Sequence, residues 1–88
     1  MNYSMLNCGN GVYVPFSKIK AVVKLESQRL KRDISKIREG ERSYKLIDET
    51  RRAGAKSVVI LDDDTYVLSL LSVDTLLKRI RELGGKDE

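Results

Sequence analysis

The alternation of hydrophobic and polar residues between Lys18 and Lys24 is a clear period-two pattern. Ile19, Ala21 and Val23 share one face, and a period of two predicts a half-buried strand. The opposite face takes Lys18, Lys20, Val22 and Lys24. The pattern therefore predicts a strand whose outer face is basic.

Other short apolar runs predict further strands, separated by turn residues. Ser57–Leu61 and Thr65–Leu71 are rich in β-branched and apolar residues, and three aspartates between them predict a hairpin turn. Val12-Tyr13-Val14 predicts a short strand after the turn sequence Gly9-Asn10-Gly11, and Pro15 is expected to stop it. A further strand, the third in chain order, is expected around Tyr44–Ile47.

Two segments have helical spacing. In Ser27–Arg38, Ser27 is a predicted N-cap, and the apolar positions Leu30, Ile34 and Ile37 form one stripe, with Gly40 just beyond. Ser72–Leu83 is the second predicted helix, capped by Ser72 or Asp74 and ended by Gly84-Gly85.

The order strand-strand-helix-strand-strand-strand-helix predicts an α+β fold with a small, mainly antiparallel sheet and two helices. With 88 residues, one domain over residues 5–84 is expected, with flexible termini at 1–4 and 85–88. Such a short chain has a small core, and its one cysteine excludes an intrachain disulfide. Oligomerisation is therefore the expected reinforcement, in a reducing compartment.

Charge is unevenly distributed along the chain. The formal net charge is +4, yet residues 17–56 hold thirteen basic and six acidic residues, whereas residues 57–88 hold four basic and seven acidic ones. The lysines at alternate strand positions share one face, and so does the helical row of Arg29, Arg32 and Lys36. Positive charge gathered on one face is what binding to DNA phosphates requires. A solvated surface is the alternative, and charge alone does not decide between them.

A second basic feature is the predicted connection that contains Arg51, Arg52, Gly54 and Lys56. A loop with two arginines suits phosphate or groove contacts. An ordinary solvated turn remains the alternative.

Several chemistries find no support in the sequence. The chain has no histidine, and no nucleophile–base or paired-carboxylate pattern stands out, so no enzyme is predicted. Asp62-Asp63-Asp64 lacks the spacing of a calcium loop, and no metal or cofactor is expected. Cys8 is expected to pack rather than react. No apolar run approaches membrane-span length, so we expect no membrane partner and a cytoplasmic location.

Five segments together resemble the RemA-type regulators of bacterial biofilm-matrix genes, over roughly residues 6–79. Their order and spacing carry the resemblance more than any one motif. They are LNCGNGVYV (6–14), KIKAVV (18–23), SQRLKRDI (27–34), LIDET (46–50) and SVVILDDDTYVLSLLSVDTLLKR (57–79).

The resemblance implies a ring-shaped homo-oligomer that binds double-stranded DNA through a common basic surface and acts in transcription or at the nucleoid. By position, Lys18 and Lys56 match family arginines, and Lys31-Arg32 match a Lys-Arg pair. The sequence departs from the family in the loop, because Arg51 and Arg52 lie about two residues earlier than the family's arginine pair. The stretch Gly40–Lys45 is also about three residues longer, and Val12 replaces an asparagine.

Three hypotheses follow. The first is a DNA-binding oligomeric regulator whose contacts come from Lys18, Arg51, Arg52, Lys56, Arg29, Lys31, Arg32 and Lys36. The second is a self-assembling protein-interaction scaffold that binds no nucleic acid. The third is RNA binding, which the scattered aromatic residues favour less because they form no stacking platform.

Overall fold

The computed structural model describes residues 4–40, 45–50 and 54–85, and its class is α+β, as predicted. The strands are β1 Met5–Gly9, β2 Val12–Pro15, β3 Ile19–Lys24, β4 Lys45–Ile47, β5 Ser57–Leu61 and β6 Thr65–Ser69. The helices are α1 Gln28–Arg38 and α2 Val73–Gly85, and a 3₁₀ turn covers Phe16–Lys18.

Strands β1 and β2 form a separate antiparallel hairpin. Gly9, Asn10 and Gly11 join them, and all three have positive φ angles (91°, 54° and 79°), which confirms the predicted turn. The sequence prediction missed β1, because Leu6 and Cys8 are too short an apolar alternation to stand out. The observed order therefore has one strand more than predicted.

The second sheet has the order β3-β5-β6-β4. Its first three strands are antiparallel, whereas β4 runs parallel to β6. The predicted hairpin at Asp62–Asp64 is confirmed, although β6 ends at Ser69 rather than Leu71. Tyr44, at the start of the predicted third strand, lies outside the described residues.

A bulge in β3 changes which residues share a face. Ile19 pairs with Leu61 and Ala21 pairs with Ile60, so Lys20 is an extra residue in the ladder. Ile19 and Val22 therefore pack against the same core cluster. The predicted grouping of Ile19 with Ala21 and Val23 is wrong at this point, and Lys18 lies in the 3₁₀ turn rather than on the strand.

Both helices begin at the predicted serines. The Ser27 hydroxyl accepts a hydrogen bond from Leu30 N at 3.1 Å, and the Ser72 hydroxyl accepts one from Thr75 N at 3.2 Å. Gly40 lies just beyond α1 with φ 81°, as a helix C-terminus favours. Helix α2 ends at Gly85, so it includes Gly84-Gly85 and runs two residues beyond the predicted Leu83.

The second sheet separates two apolar clusters. On one face, the β1–β2 hairpin and α2 bury Leu6, Cys8 and Leu76 against the sheet. On the other face, Ile34 of α1 packs against Val58 and Leu68. In the described part of the chain, the sheet is therefore the middle of three layers, with α1 on one side and the hairpin and α2 on the other. Neither described helix has the length and apolar character needed to cross a membrane.

Candidate nucleic-acid interface

Helix α1 presents the predicted basic row to solvent. Ile34 and Ile37 are buried and Leu30 is half-buried, whereas Arg29, Arg32 and Lys36 are all exposed. A helix turns once every 3.6 residues, so these three cations project from the side opposite the buried stripe. Their span along the axis, from Arg29 to Lys36, is about 10 Å.

Lys31 belongs to a different surface from its neighbour Arg32. Lys31, Ser35 and Arg38 lie on one flank of α1 and line a groove that also includes Ala55 and Leu68. The Lys31-Arg32 pair that the sequence suggested as one unit is therefore divided between the groove and the outer row.

Lys18 lies beside the acidic turn of the β5–β6 hairpin. It is exposed, and its carbonyl oxygen accepts a hydrogen bond from Asp62 N at 2.8 Å. The next lysine, Lys20, forms an ion pair with Asp64 at 3.7 Å. The Lys18 backbone is thus held against the aspartate turn, although its ammonium group forms no ion pair with a described carboxylate.

Lys56 lies at the other end of β5. Its N–H donates to the Ser69 carbonyl at 2.8 Å, and its carbonyl accepts from Leu25 N at 3.0 Å. Asp62 lies six positions beyond Lys56 along a nearly extended chain, a distance of about 20 Å. Within one chain, the structure therefore does not bring Lys18 and Lys56 together.

Arg51 and Arg52 lie outside the described residues, but the residue before them is firmly held. Thr50 is buried, and its hydroxyl and N–H both donate to Asp48 Oδ1, at 2.6 and 3.1 Å. Asp48 Oδ2 in turn accepts a hydrogen bond from Arg38 Nη2 at 2.6 Å. The end of β4 is thereby tied to the last turn of α1.

The ion pairs of the described residues leave the predicted DNA contacts unneutralised. Lys20, Lys24 and Arg38 each pair with a carboxylate. Across residues 4–40, 45–50 and 54–85, no carboxylate oxygen lies within 4 Å of the cationic groups of the six described candidates. They are Lys18, Arg29, Lys31, Arg32, Lys36 and Lys56.

Three titratable groups have shifted pKa values. The Thr50 hydroxyl, more than the Thr50 N–H or the Arg38 charge, lowers the pKa of Asp48 below 3.8 against the opposing effect of burial. The Thr65 hydroxyl does the same for the pKa of Asp63. Burial raises the pKa of the Cys8 thiol to about 11, although the Arg79 charge opposes the rise.

Asp62–Asp64 form the turn that joins β5 and β6, and side chains of this turn stabilise the hairpin. Asp63 Oδ1 accepts a hydrogen bond from Thr65 N at 3.1 Å, as in an Asx turn, while Asp64 pairs with Lys20. In the part of the chain that the structure describes, no three Cys, Asp or Glu side chains are placed to hold a metal ion.

Two structural links were not predicted from the sequence. Arg79 Nη1 on α2 donates to the Asn7 carbonyl at 2.8 Å, and the Ser69 hydroxyl donates to the Cys8 carbonyl at 2.6 Å. Both join elements more than sixty residues apart. The only local signal was a polar residue at the edge of an apolar pattern, which many solvated positions share.

The fold and its unpaired cations define a small α+β protein with a basic helix face. The family model described as RemA-like, extracellular matrix regulatory protein A-like, matches residues 5–80. The chain belongs to this family, which confirms the resemblance noted in the sequence.

Relatives from three bacteria agree with that assignment, and all three are named as candidate regulatory proteins. The Thermodesulfovibrio yellowstonii relative is 39% identical over 96% of this chain and 95% of its own length. The relative from Thermosynechococcus vestitus is 37% identical over 86% and 95%, and that from Alkaliphilus metalliredigens 33% identical over 100% and 91%. The chain is thus similar in sequence to regulatory proteins over nearly its whole length.

Proposed function

We propose that this member of the regulatory family binds double-stranded DNA as a homo-oligomeric ring and performs no catalytic step. The observation that carries the proposal is the set of six exposed cations that have no acidic partner among the described residues. Lys20, Lys24 and Arg38 pair with carboxylates of the same chain, whereas the six proposed contacts keep their charge available for phosphates.

Phosphate contacts supply the affinity in this proposal. Each Lys or Arg that neutralises a phosphate releases counterions, so affinity falls steeply as salt rises. The cations of one chain are too dispersed for one compact contact, because Lys18 and Lys56 occupy opposite ends of β5. Several weak contacts repeated around a ring would add through multivalency. Such binding would locate the protein at the nucleoid in the cytoplasm.

The test is a gel-shift titration of double-stranded DNA with the folded oligomer at several salt concentrations. We expect a shift at low salt and a linear decrease of log affinity with log salt. Multi-angle light scattering on the same sample gives the number of subunits. A folded oligomer that produces no shift at low salt would refute DNA binding.

A scaffold that assembles without nucleic acid is the second candidate. Among the described residues, four large apolar side chains are substantially exposed: Met5 (43%), Tyr13 (56%), Ile47 (36%) and Leu77 (40%). The double charge reversal Arg51→Glu, Arg52→Glu distinguishes the two functions. Loss of DNA binding with an unchanged oligomer supports the regulator, whereas unchanged partner binding and oligomer size support the scaffold.

A further inference from the structure

We propose that the groove between α1 and the segment Gly54–Ala55 binds a small anion with an apolar body, joined to a carboxylate or a phosphate. The groove has a volume of about 430 Å³. That value lies within the range of about 300–1,000 Å³ of small-molecule sites. The proposal concerns the protein without DNA and adds a ligand to the regulatory role.

The floor of the groove is apolar. Leu25, Ile34, Ala55 and Leu68 line it, and Ile34 and Leu68 belong to the buried cluster under α1. An apolar ring placed here would be removed from water on one side, which favours binding. The apolar floor therefore favours a ligand with an apolar body.

One wall carries a row of hydrogen-bond donors. Lys31, Ser35 and Arg38 occupy positions i, i+4 and i+7 on the same flank of α1, and all three line the groove. Lys31 has no described acidic partner, and the Ser35 hydroxyl is exposed. Arg38 gives one described hydrogen bond to Asp48 and has further N–H groups to offer.

The acidic side chain in the groove does not oppose an anion strongly. Asp48 already accepts hydrogen bonds from Arg38 and from the hydroxyl and N–H of Thr50. Arg38 offsets the negative charge of Asp48. The positive charge of Lys31 is then left without an acidic partner among the residues that line the groove. Charge complementarity therefore favours an anionic ligand over a cationic or a neutral one.

The position of the groove suggests a regulatory use, which rests on the proposed function. Thr50 and Gly54 both line the groove, and Arg51 and Arg52 lie between them in the sequence. A ligand held against both residues would contact the chain directly before and directly after this arginine-bearing stretch. Ligand binding itself does not require that the protein binds DNA.

The direct test is saturation-transfer NMR on the full-length chain with phenyl phosphate, benzoate and benzyl alcohol. We expect both anions to bind and benzyl alcohol to bind at least about tenfold more weakly, because it cannot form charge-assisted hydrogen bonds. The stronger of the two anions identifies the head group. Equal binding of all three compounds, or none, would overturn the proposal.

Three variants locate the site. Lys31→Gln should weaken binding of both anions about tenfold, and Ser35→Leu should abolish it by filling the groove. Lys36→Gln is the matched control, because Lys36 lies on the outer face of α1 rather than in the groove. Equal effects of Lys31→Gln and Lys36→Gln would show nonspecific attraction and refute the site.

The alternative occupant of the groove is a second copy of the chain. Light scattering on Ser35→Leu distinguishes that occupant from a small molecule. An unchanged oligomer with lost ligand binding supports the small-molecule site. A dissociated oligomer would make the groove a subunit interface and overturn the proposal. A gel shift repeated with saturating phenyl phosphate then tests the regulatory use, and DNA binding without any ligand effect would refute only that use.

Discussion

The hydroxyl of Ser69 in β6 donates a 2.6 Å hydrogen bond to the carbonyl of Cys8 in β1 and accepts one from Leu71 N at 3.0 Å. Ser69 and Cys8 are each about 1% exposed. One buried hydroxyl therefore connects the β1–β2 hairpin to the second sheet and satisfies the buried Cys8 carbonyl and the part-buried Leu71 N–H.

Ser69→Ala should destabilise the protein by about 1–3 kcal/mol, because it leaves a buried carbonyl and a part-buried N–H without their partner. Urea unfolding at a fixed protomer concentration measures the effect. Ser17→Ala, at an exposed position, is the control and should change stability by less than about 0.5 kcal/mol. Equal changes in the two variants would argue against the link.

Thr50→Val should raise the pKa of Asp48 toward 3.8, because it removes the hydroxyl that contributes most to the lowered value. A lowered folded-state pKa stabilises the protein above the unfolded-state pKa, and this stabilisation is lost as pH falls below about 4. The variant should therefore show a smaller loss of stability in that range than the original chain.

Carbon-detected NMR of the Asp side chains between about pH 2 and pH 6 measures the pKa values of Asp48 and Asp63 directly. Thr65→Val is the matched control, since Thr65 lowers the pKa of Asp63 in the same way. Each substitution should move only its own aspartate. Movement of both aspartates by either variant would indicate a general loss of structure.

Cys8 should react slowly with iodoacetamide in the native protein. Raising its pKa from 9.0 to about 11 lowers the thiolate fraction at pH 8 about a hundredfold, and burial slows access further. Alkylation followed by mass spectrometry, with and without urea, measures both rates. A double variant, Cys8→Ala with Ser35→Cys, supplies an exposed thiol for comparison, and similar native rates would contradict the prediction.

Removing the outer row of α1 with Arg29→Gln, Arg32→Gln and Lys36→Gln should weaken DNA binding and reduce its salt dependence. The slope of log affinity against log salt should fall by about 0.9 for each phosphate that the variant no longer neutralises. Lys45→Gln, Lys78→Gln and Arg81→Gln remove the same charge from exposed positions elsewhere. If the two triple variants weaken binding equally, the row has no special role.

Lys18→Arg should strengthen DNA binding, because a guanidinium donates two parallel hydrogen bonds to one phosphate where an ammonium is a point charge. Lys20→Arg is the neighbouring control and should have little effect, because Lys20 pairs with Asp64. Fluorescence anisotropy with labelled duplex DNA at fixed salt compares them. A larger gain in DNA affinity from Lys20→Arg than from Lys18→Arg would show that Lys18 does not contact DNA.

The sequence alone determined the features that depend on local patterns. Helix starts at Ser27 and Ser72, the turn at Gly9–Gly11 and the aspartate hairpin each follow from a residue type at a fixed offset, so their physical cause lies within a few positions. The apolar stripe of α1 likewise fixed which side faces solvent, and with it the basic row.

The tertiary structure decided what depends on distant partners. The bulge at Lys20 sets Ile19 and Val22 on one face, which strict alternation excludes. The direction of β5 puts Lys18 and Lys56 at opposite ends of the sheet, and the packing of α1 beside Ala55 creates the groove that separates Lys31 from Arg32. Strand register and helix placement are set by the burial of residues far apart in the chain, and no local pattern encodes that pairing.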